Sequence, residues 1–286
     1  MKGKVLNILL ILIFVAGLSL LLYPTVSDAY NAHLQSQLIV EYAQQVDEME
    51  EAANRQLLEE AQRYNADLLD RTHPFALEAQ LEERYWASLQ TADSAVMAYV
   101  EIPSIEVTLP IAHGTEANTL AKYVGHMEWS SLPVGGESTH CVISGHRGLP
   151  SSELFTNIDH LQLGDYFYIH VLGQSLLYQV DNIAVVDPYD YSLLGITPGK
   201  DYTTLVTCTP YGINSHRLLV RGVRILTSGA DSQPHLQLKN EVTQIDPMVI
   251  VPVTLAVLSV GAFLIMMVGR SKRKSAKKEG DHDEKA

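Results

Sequence analysis

Cysteine is scarce in this chain. Cys141 and Cys208 are the only two in 286 residues, which allows at most one disulfide, or else one structural and one reactive thiol. Basic residues are scarce too, and badly placed for binding phosphates. Of 20 Lys and Arg, nine lie in the terminal tails, with four of the 33 Asp and Glu. That leaves 11 basic and 29 acidic residues over positions 24–247, a net charge of −18. Such a surface repels phosphates and excludes a nucleic-acid binder. Proline is absent from Asp28 to His73, no internal repeat is visible, and the only low-complexity piece is the charged tail after Arg270. His140, Cys141 and His146 follow no standard zinc spacing, so no metal is expected.

What the chain does have is two long uncharged apolar runs. Val5 to Tyr23 comprises 19 residues, about 28 Å as a helix and close to the thickness of a bilayer core. Small residues at Ser27-Asp28-Ala29 would suit a cleaved signal peptide. The run nonetheless exceeds the roughly 7–15 apolar residues of a signal core, and an uncleaved anchor is the expectation. The second run, Met248 to Val268, is followed by the basic cluster Arg270-Ser-Lys-Arg-Lys274, a stop-transfer pattern. Lys2, Lys4 and this cluster place both termini in the cytoplasm by the positive-inside rule. The expectation is a multi-pass protein of the cell membrane, in contact with lipid, with residues 24–247 outside.

Between the runs the texture changes once. Residues 24–90 read as a helical extension, with Leu34, Leu38, Val46, Leu57, Leu58, Ala61, Leu68 and Leu69 at helical spacing among acidic residues, most of it solvated. Thr72-His73-Pro74-Phe75 interrupts it, because proline disfavours helix in the residue before it. From Val96 onward, Val/Ile/Thr/Tyr-rich runs alternate with turn residues. Strands are expected at Ala98-Ile102, Val107-His113, His140-Ser144, Tyr166-Leu172, Leu176-Val186, Tyr202-Cys208 and Leu218-Ile225, with helical interruptions at Glu116-Tyr123 and Ser152-Leu161. About seven or eight strands at this spacing suggest a closed or nearly closed barrel. The expected layout is therefore an anchor at 1–23, the extension at 24–90, a mainly β catalytic domain at 91–228, a linker at 229–247, a membrane helix at 248–268 and a charged tail at 269–286.

Three residues could carry chemistry. Cys208 ends a strand and is followed by Thr209-Pro210-Tyr211-Gly212. Arg217 opens the next strand nine residues on, so a short antiparallel connection would set it beside Cys208. A guanidinium there favours a thiolate and can donate to an oxyanion. His146, in Ser144-Gly145-His146-Arg147-Gly148, also lies just past an apolar strand. Singly, each is an ordinary core or surface residue.

Together they resemble the sortase family. Thr204-Leu205-Val206-Thr207-Cys208 is similar to the sortase signature Thr-Leu-x-Thr-Cys, Arg217 stands where sortases carry an arginine, and Ser144 to Gly148 is similar to their histidine segment. The resemblance covers roughly residues 70–226. It implies an eight-stranded barrel with short helices, and a Gram-positive cell surface. It implies a cysteine transpeptidase with Cys208, His146 and Arg217 as catalytic residues and no cofactor, cleaving a Leu-Pro-x-Thr-Gly-like sorting signal between Thr and Gly. The C-terminal span and the His73-Pro74-Phe75 segment resemble class C, the pilin-polymerising sortases. That class implies a pilin lysine amine as acceptor, and a lid in which Phe75 covers Cys208 and His73 replaces the usual aspartate near Arg217. A housekeeping sortase acting on other surface proteins, or a non-catalytic anchored adhesin, is the alternative.

Other polar residues are expected to be bystanders. His126 reads as structural or supporting, His216 as pointing away from Arg217 on the opposite strand face, and Arg147 as a neighbour of His146 only. Cys141 lies about 16 Å from His146 along an extended strand. If His146 is near Cys208, a bridge between the two cysteines is excluded.

Overall fold

A computed structural model of the chain describes residues 2–91, 94–226 and 260–261. The first helix, α1 (Lys2–Glu48), has Pro24 inside it. Its residues up to Val26 group apart from the compact unit that begins at Ser27. Among the described residues, one helix is long and apolar enough to cross a membrane, and it is this one. That suggests anchoring through the N-terminal helix. The second span expected from sequence, 248–268, lies outside the described residues save for Val260 and Gly261, as do the linker and the tail.

Beyond Ser27 the helix becomes one-sided. Gln35, Ile39, Tyr42 and Val46 are buried, at intervals of four, three and four residues that keep them on one face. The Tyr42 hydroxyl donates to the Met97 carbonyl and accepts the Leu172 amide proton, both at 3.0 Å. After a break at Met49–Glu50, α2 (Glu51–Asp67) buries Ala61, Tyr64 and Asn65. Asn65 acts as a substitute strand edge: its amide donates to the Leu132 carbonyl and its oxygen accepts the Leu132 N–H. Following a 3-10 turn at Leu68–Asp70, α3 (Ala79–Ala87) buries Tyr85. The extension thus comprises three helical segments that pack through a few buried residues, while most of its residues remain exposed to solvent. Its acidic composition reports the outer faces, while the inner faces pack through widely spaced single residues.

The remaining strands are β1 (Val96–Ile102), β2 (Val107–His113), β3 (Val124–His126), β4 (Thr139–Ser144), β5 (Tyr166–Val171), β6 (Gln174–Val186), β7 (Asp201–Thr209) and β8 (His216–Arg224). They close into a barrel in the order β1-β2-β3-β4-β7-β8-β6-β5. The pairs β2–β3 and β4–β7 are parallel and the rest antiparallel. Closure leaves no edge and encloses a core of aliphatic and aromatic side chains, with Val100, Ile111, Ile143, Phe167, Ile169, Leu205 and Val220 inaccessible to solvent. Between β2 and β3 the helical interruption shrinks to α4 (Ala117–Leu120). The helix expected at Ser152-Leu161 is an irregular loop with one 3-10 turn, Ile158–His160. Its apolar Leu154, Phe155, Ile158 and Leu161 are all buried in the main core.

A smaller apolar cluster lies outside the main core. Val142, Leu194, Val206 and Leu219 are buried together, with Met127, Trp129, Val186 and Tyr191 packed around them. It seats the β6–β7 connection on the outer surface of β4, β7 and β8, and that connection forms a wall of the site described next.

Candidate active site

The barrel register brings together segments distant in sequence. β4 runs parallel to β7 with Ser144 opposite Val206, and β7 is antiparallel to β8 with Cys208 directly opposite Arg217. Directly opposed residues in an antiparallel pair share a face, with Cα atoms about 4.5–5.5 Å apart. The strand end thus sets Cys208 and Arg217 side by side on one face.

His146 reaches the same place through a tight exit from β4. The Gly145 N–H donates to the Val206 carbonyl at 3.0 Å, and the Thr207 hydroxyl donates to the Gly145 carbonyl at 2.8 Å. A side chain at Gly145 would lie 2.7 Å from Phe155 and 2.9 Å from Val124, so only glycine lets the chain pass this close. The Phe155 N–H then donates to the His146 carbonyl at 3.1 Å. Cys208, His146 and Arg217 all line one cavity of about 310 Å³. Its apolar wall includes Val186, Leu194, Val206 and Leu219, and Asp190 and Tyr191 of the β6–β7 connection close one side.

The electrostatics distinguish the candidates. Desolvation lowers the pKa of His146, favouring the neutral imidazole. The Arg217 guanidinium donates from one terminal nitrogen to the carbonyls of His216 at 3.1 Å and Asn214 at 3.4 Å. Among the described residues it makes no ion pair, so no carboxylate neutralises it. Both cysteines are free, Cys141 buried and Cys208 partly accessible. Burial pushes the Cys141 thiol pKa strongly upward, holding it protonated and inert. The two cysteines thus resolve into one structural and one accessible thiol.

His126 sits at full burial and lines no part of the cavity. Its ring meets the Tyr85 hydroxyl at 3.1 Å, the Ser130 hydroxyl at 3.1 Å and the Ser131 carbonyl at 2.8 Å, and burial brings its pKa down to about 3. His216 is exposed and faces Asp187. His140 was not singled out from sequence as a positioning group, yet it pins the β6–β7 connection. One ring nitrogen lies 2.9 Å from the Gly195 carbonyl and the other 2.7 Å from the Thr204 hydroxyl. The first must donate to the carbonyl; burial lowers the pKa of the ring to about 4, so it is neutral and the second nitrogen accepts from the Thr204 hydroxyl. The signal available was a lone histidine opening an apolar strand, which does not name its partners.

Two buried neutral histidines have a consequence for stability. Their folded pKa values lie below the usual value for a free histidine, so unfolding takes up protons below about pH 6.5. Stability is then highest above that pH and falls on acidification, by up to about 1.4 kcal/mol per pH unit for each histidine until its folded pKa is reached. Urea unfolding between pH 7 and pH 4.5 should show this loss; a flat profile would mean that these rings are already charged in the folded protein.

The His73-Pro74-Phe75 segment runs beside the cavity. Phe75 is 36% exposed, and its ring centroid lies 5.2 Å from that of Trp129 and 5.4 Å from that of Tyr191, which are themselves 5.7 Å apart. It therefore packs on Tyr191, a residue of the cavity wall, and is not itself among the residues lining the cavity. His73 is exposed, and the hydrogen bonds of Arg217 go to backbone carbonyls as described.

A closed mixed barrel that opposes a partly accessible cysteine to an arginine on adjacent strands, with a histidine on the same cavity, is a scaffold for thiol acyl-transfer chemistry. Residues 100–225 match the family model described as the sortase domain. The chain is 30% identical over 142 residues to sortase D of Bacillus subtilis strain 168, covering 49% of this chain and 69% of that protein. Among solved structures it is similar to sortase C1 from Streptococcus agalactiae, at 43% identity and a TM-score of 0.64, covering 67% of this chain and 99% of that one. It is also similar to sortase C from Streptococcus pneumoniae, at 45% identity and a TM-score of 0.60, covering 68% and 99%, a structure described for its bearing on catalysis and pilin substrate specificity. The chain belongs to the sortase family of cysteine transpeptidases.

Proposed function

We propose that this sortase is a class C enzyme that cleaves a Leu-Pro-x-Thr-Gly-like sorting signal between Thr and Gly and passes the acyl group to a lysine amine of a pilin subunit, building a covalent fibre. The observation that carries the reading is the direct pairing of Cys208 with Arg217 across β7 and β8, with His146 on the same cavity. The similarity to sortase C structures supports the choice of class.

The steps follow from the side chains. The Cys208 sulfur attacks the threonine carbonyl while neutral His146 takes the thiol proton. Arg217 donates to the oxygen that becomes negative in the tetrahedral intermediate. The imidazolium then hands its proton to the departing glycine amine, the C–N bond breaks, and a thioester remains on Cys208. A neutral lysine amine attacks that thioester, His146 receives its proton, and the thiol leaves with a proton as an isopeptide bond forms. A neutral imidazole at the outset suits this cycle, since it must begin as the base.

Residues 24–247 would act outside the membrane, held by the N-terminal anchor and a second span at 248–268. The test is incubation of the membrane-embedded protein with a sorting peptide and a lysine-bearing pilin domain. An amine-dependent isopeptide product supports the reading; cleavage that yields only the free acid, whatever the amine concentration, contradicts it.

The Phe75 segment is proposed to act as a lid, through its seat on Trp129 and Tyr191. Phe75→Ala should raise the rate at which a neutral thiol probe labels Cys208, by a few-fold. Unchanged labelling would reduce the segment to a helix break.

A further inference from the structure

Arg147 follows His146 directly, and from sequence it reads as a neighbour only. In the structure its side chain is 10% exposed, an unusual depth for an arginine. One terminal nitrogen donates to the Thr209 hydroxyl at 3.3 Å, and the other pairs with Asp159. The guanidinium carbon lies 5.9 Å from the centre of the Tyr211 ring. Its Nε is buried with no hydrogen-bond partner among the described residues.

These partners fall on two sides of the site. Asp159 belongs to the loop that leads from His146 to β5. Thr209 is the last residue of β7, directly after Cys208, and Tyr211 belongs to the turn that follows. The adjacent Gly148 closes the same contact: a Cβ there would come within 2.8 Å of the Tyr211 ring, so the turn lies flat on the His146-Arg147-Gly148 segment. A buried guanidinium can serve two directions at once because its donors form a rigid planar fork, which a lysine cannot reproduce.

We propose that Arg147 is a positioning residue: it ties the segment that carries His146 to the turn that follows Cys208, and so fixes how thiol and imidazole face each other. This rests on the assignment of Cys208 and His146 as the reacting pair. Parallel pairing of β4 with β7 ends at Ser144 and Val206, so the strand ladder does not itself lock the two residues that react. The Gly145–Val206 and Thr207–Gly145 hydrogen bonds carry the contact as far as Gly145, and Arg147 adds a tie on the other side of His146. The role differs from that of Arg217, which faces the cavity and the reacting carbonyl.

Loss of that tie should act on turnover and not on substrate capture, since Arg147 is not a cavity wall. In Arg147→Gln, kcat for a sorting peptide should fall by about 100-fold, the scale expected when reacting groups shift by about 1 Å, with KM within about two-fold. The pH dependence of Cys208 alkylation should also change, because a histidine no longer held against the thiol stops contributing an inflection near its own titration. Arg147→Lys should recover only part of the rate, keeping the charge for Asp159 but losing the fork. Thr209→Val removes one acceptor while keeping the side chain's shape, and should lower kcat several-fold with KM unchanged even if Arg147→Gln folds poorly. Thermal unfolding of each variant separates loss of fold from loss of geometry. A wild-type kcat and alkylation profile in Arg147→Gln or Thr209→Val, beside an inactive Cys208→Ala, would overturn the positioning role alone. Activity retained in Cys208→Ala would instead overturn the assignment beneath it.

Discussion

Cys208→Ala is expected to abolish peptide cleavage and transpeptidation, while Cys141→Ala leaves both nearly intact. The expectation rests on the contrast between two thiols in one barrel. Cys141 sits in the middle of β4, is 3% exposed and is held protonated by burial, so neither substrate nor a base can reach it. Cys208 stands one pair from the end of the β7–β8 ladder, opposite Arg217 and open to the cavity. No other group there can form the thioester, so no residual route remains once its sulfur is removed. Cys141→Ala trades a small buried hydrophobe for a smaller one and should cost a modest amount of stability. Steady-state kinetics and thermal unfolding of the two variants check both halves. Loss of activity in both, with the fold preserved, would contradict the assignment.

The second large effect concerns Arg217. Arg217→Lys keeps a positive charge but replaces a planar fork by a single ammonium that must reach the same place. In the resting enzyme the guanidinium is held by the His216 and Asn214 carbonyls, which aims its remaining donors without neutralising them. A lysine would lose that aim together with one donor to the developing oxyanion. Removal of one such donor typically costs roughly 10²–10³ in turnover, and that is the expected fall in kcat. Arg221→Lys, on the same strand, is the control. Arg221 spends its fork on Asp181, at 3.0 and 2.9 Å, so its replacement should change stability and leave kcat close to wild type. Equal losses of kcat in the two variants would remove any special role for Arg217.

Much of this was readable from residues alone, for reasons that can be located. β1, β2, β4, β5, β6, β7 and β8 announce themselves because each is a continuous β-branched or aromatic run bounded by turn residues. Cys208 and Arg217 could be paired in advance because a short antiparallel connection fixes register locally. β3 was missed because it has three residues, Val124–His126, too few for any alternation to show. The structure has no helix at Ser152-Leu161 because Leu154, Phe155, Ile158 and Leu161, though helically spaced, reach the main core from an irregular loop. The packing of α1 and α2 rests on Tyr42, Tyr64 and Asn65, whose partners lie far along the chain. The same holds for His140 and Arg147. Each works through contacts with a distant segment, and no local pattern encodes where a barrel will bring that segment.

The covalent intermediate on Cys208 can be trapped and weighed. The full-length protein in detergent or vesicles is mixed with a sorting-signal peptide, without acceptor amine, and quenched in acid for peptide mapping by mass spectrometry. The peptide up to its threonine should be carried as a thioester on the fragment containing Cys208, should disappear on adding a lysine amine, and should be absent from Cys208→Ala. An adduct on Cys141, or cleavage that continues in Cys208→Ala, would contradict it.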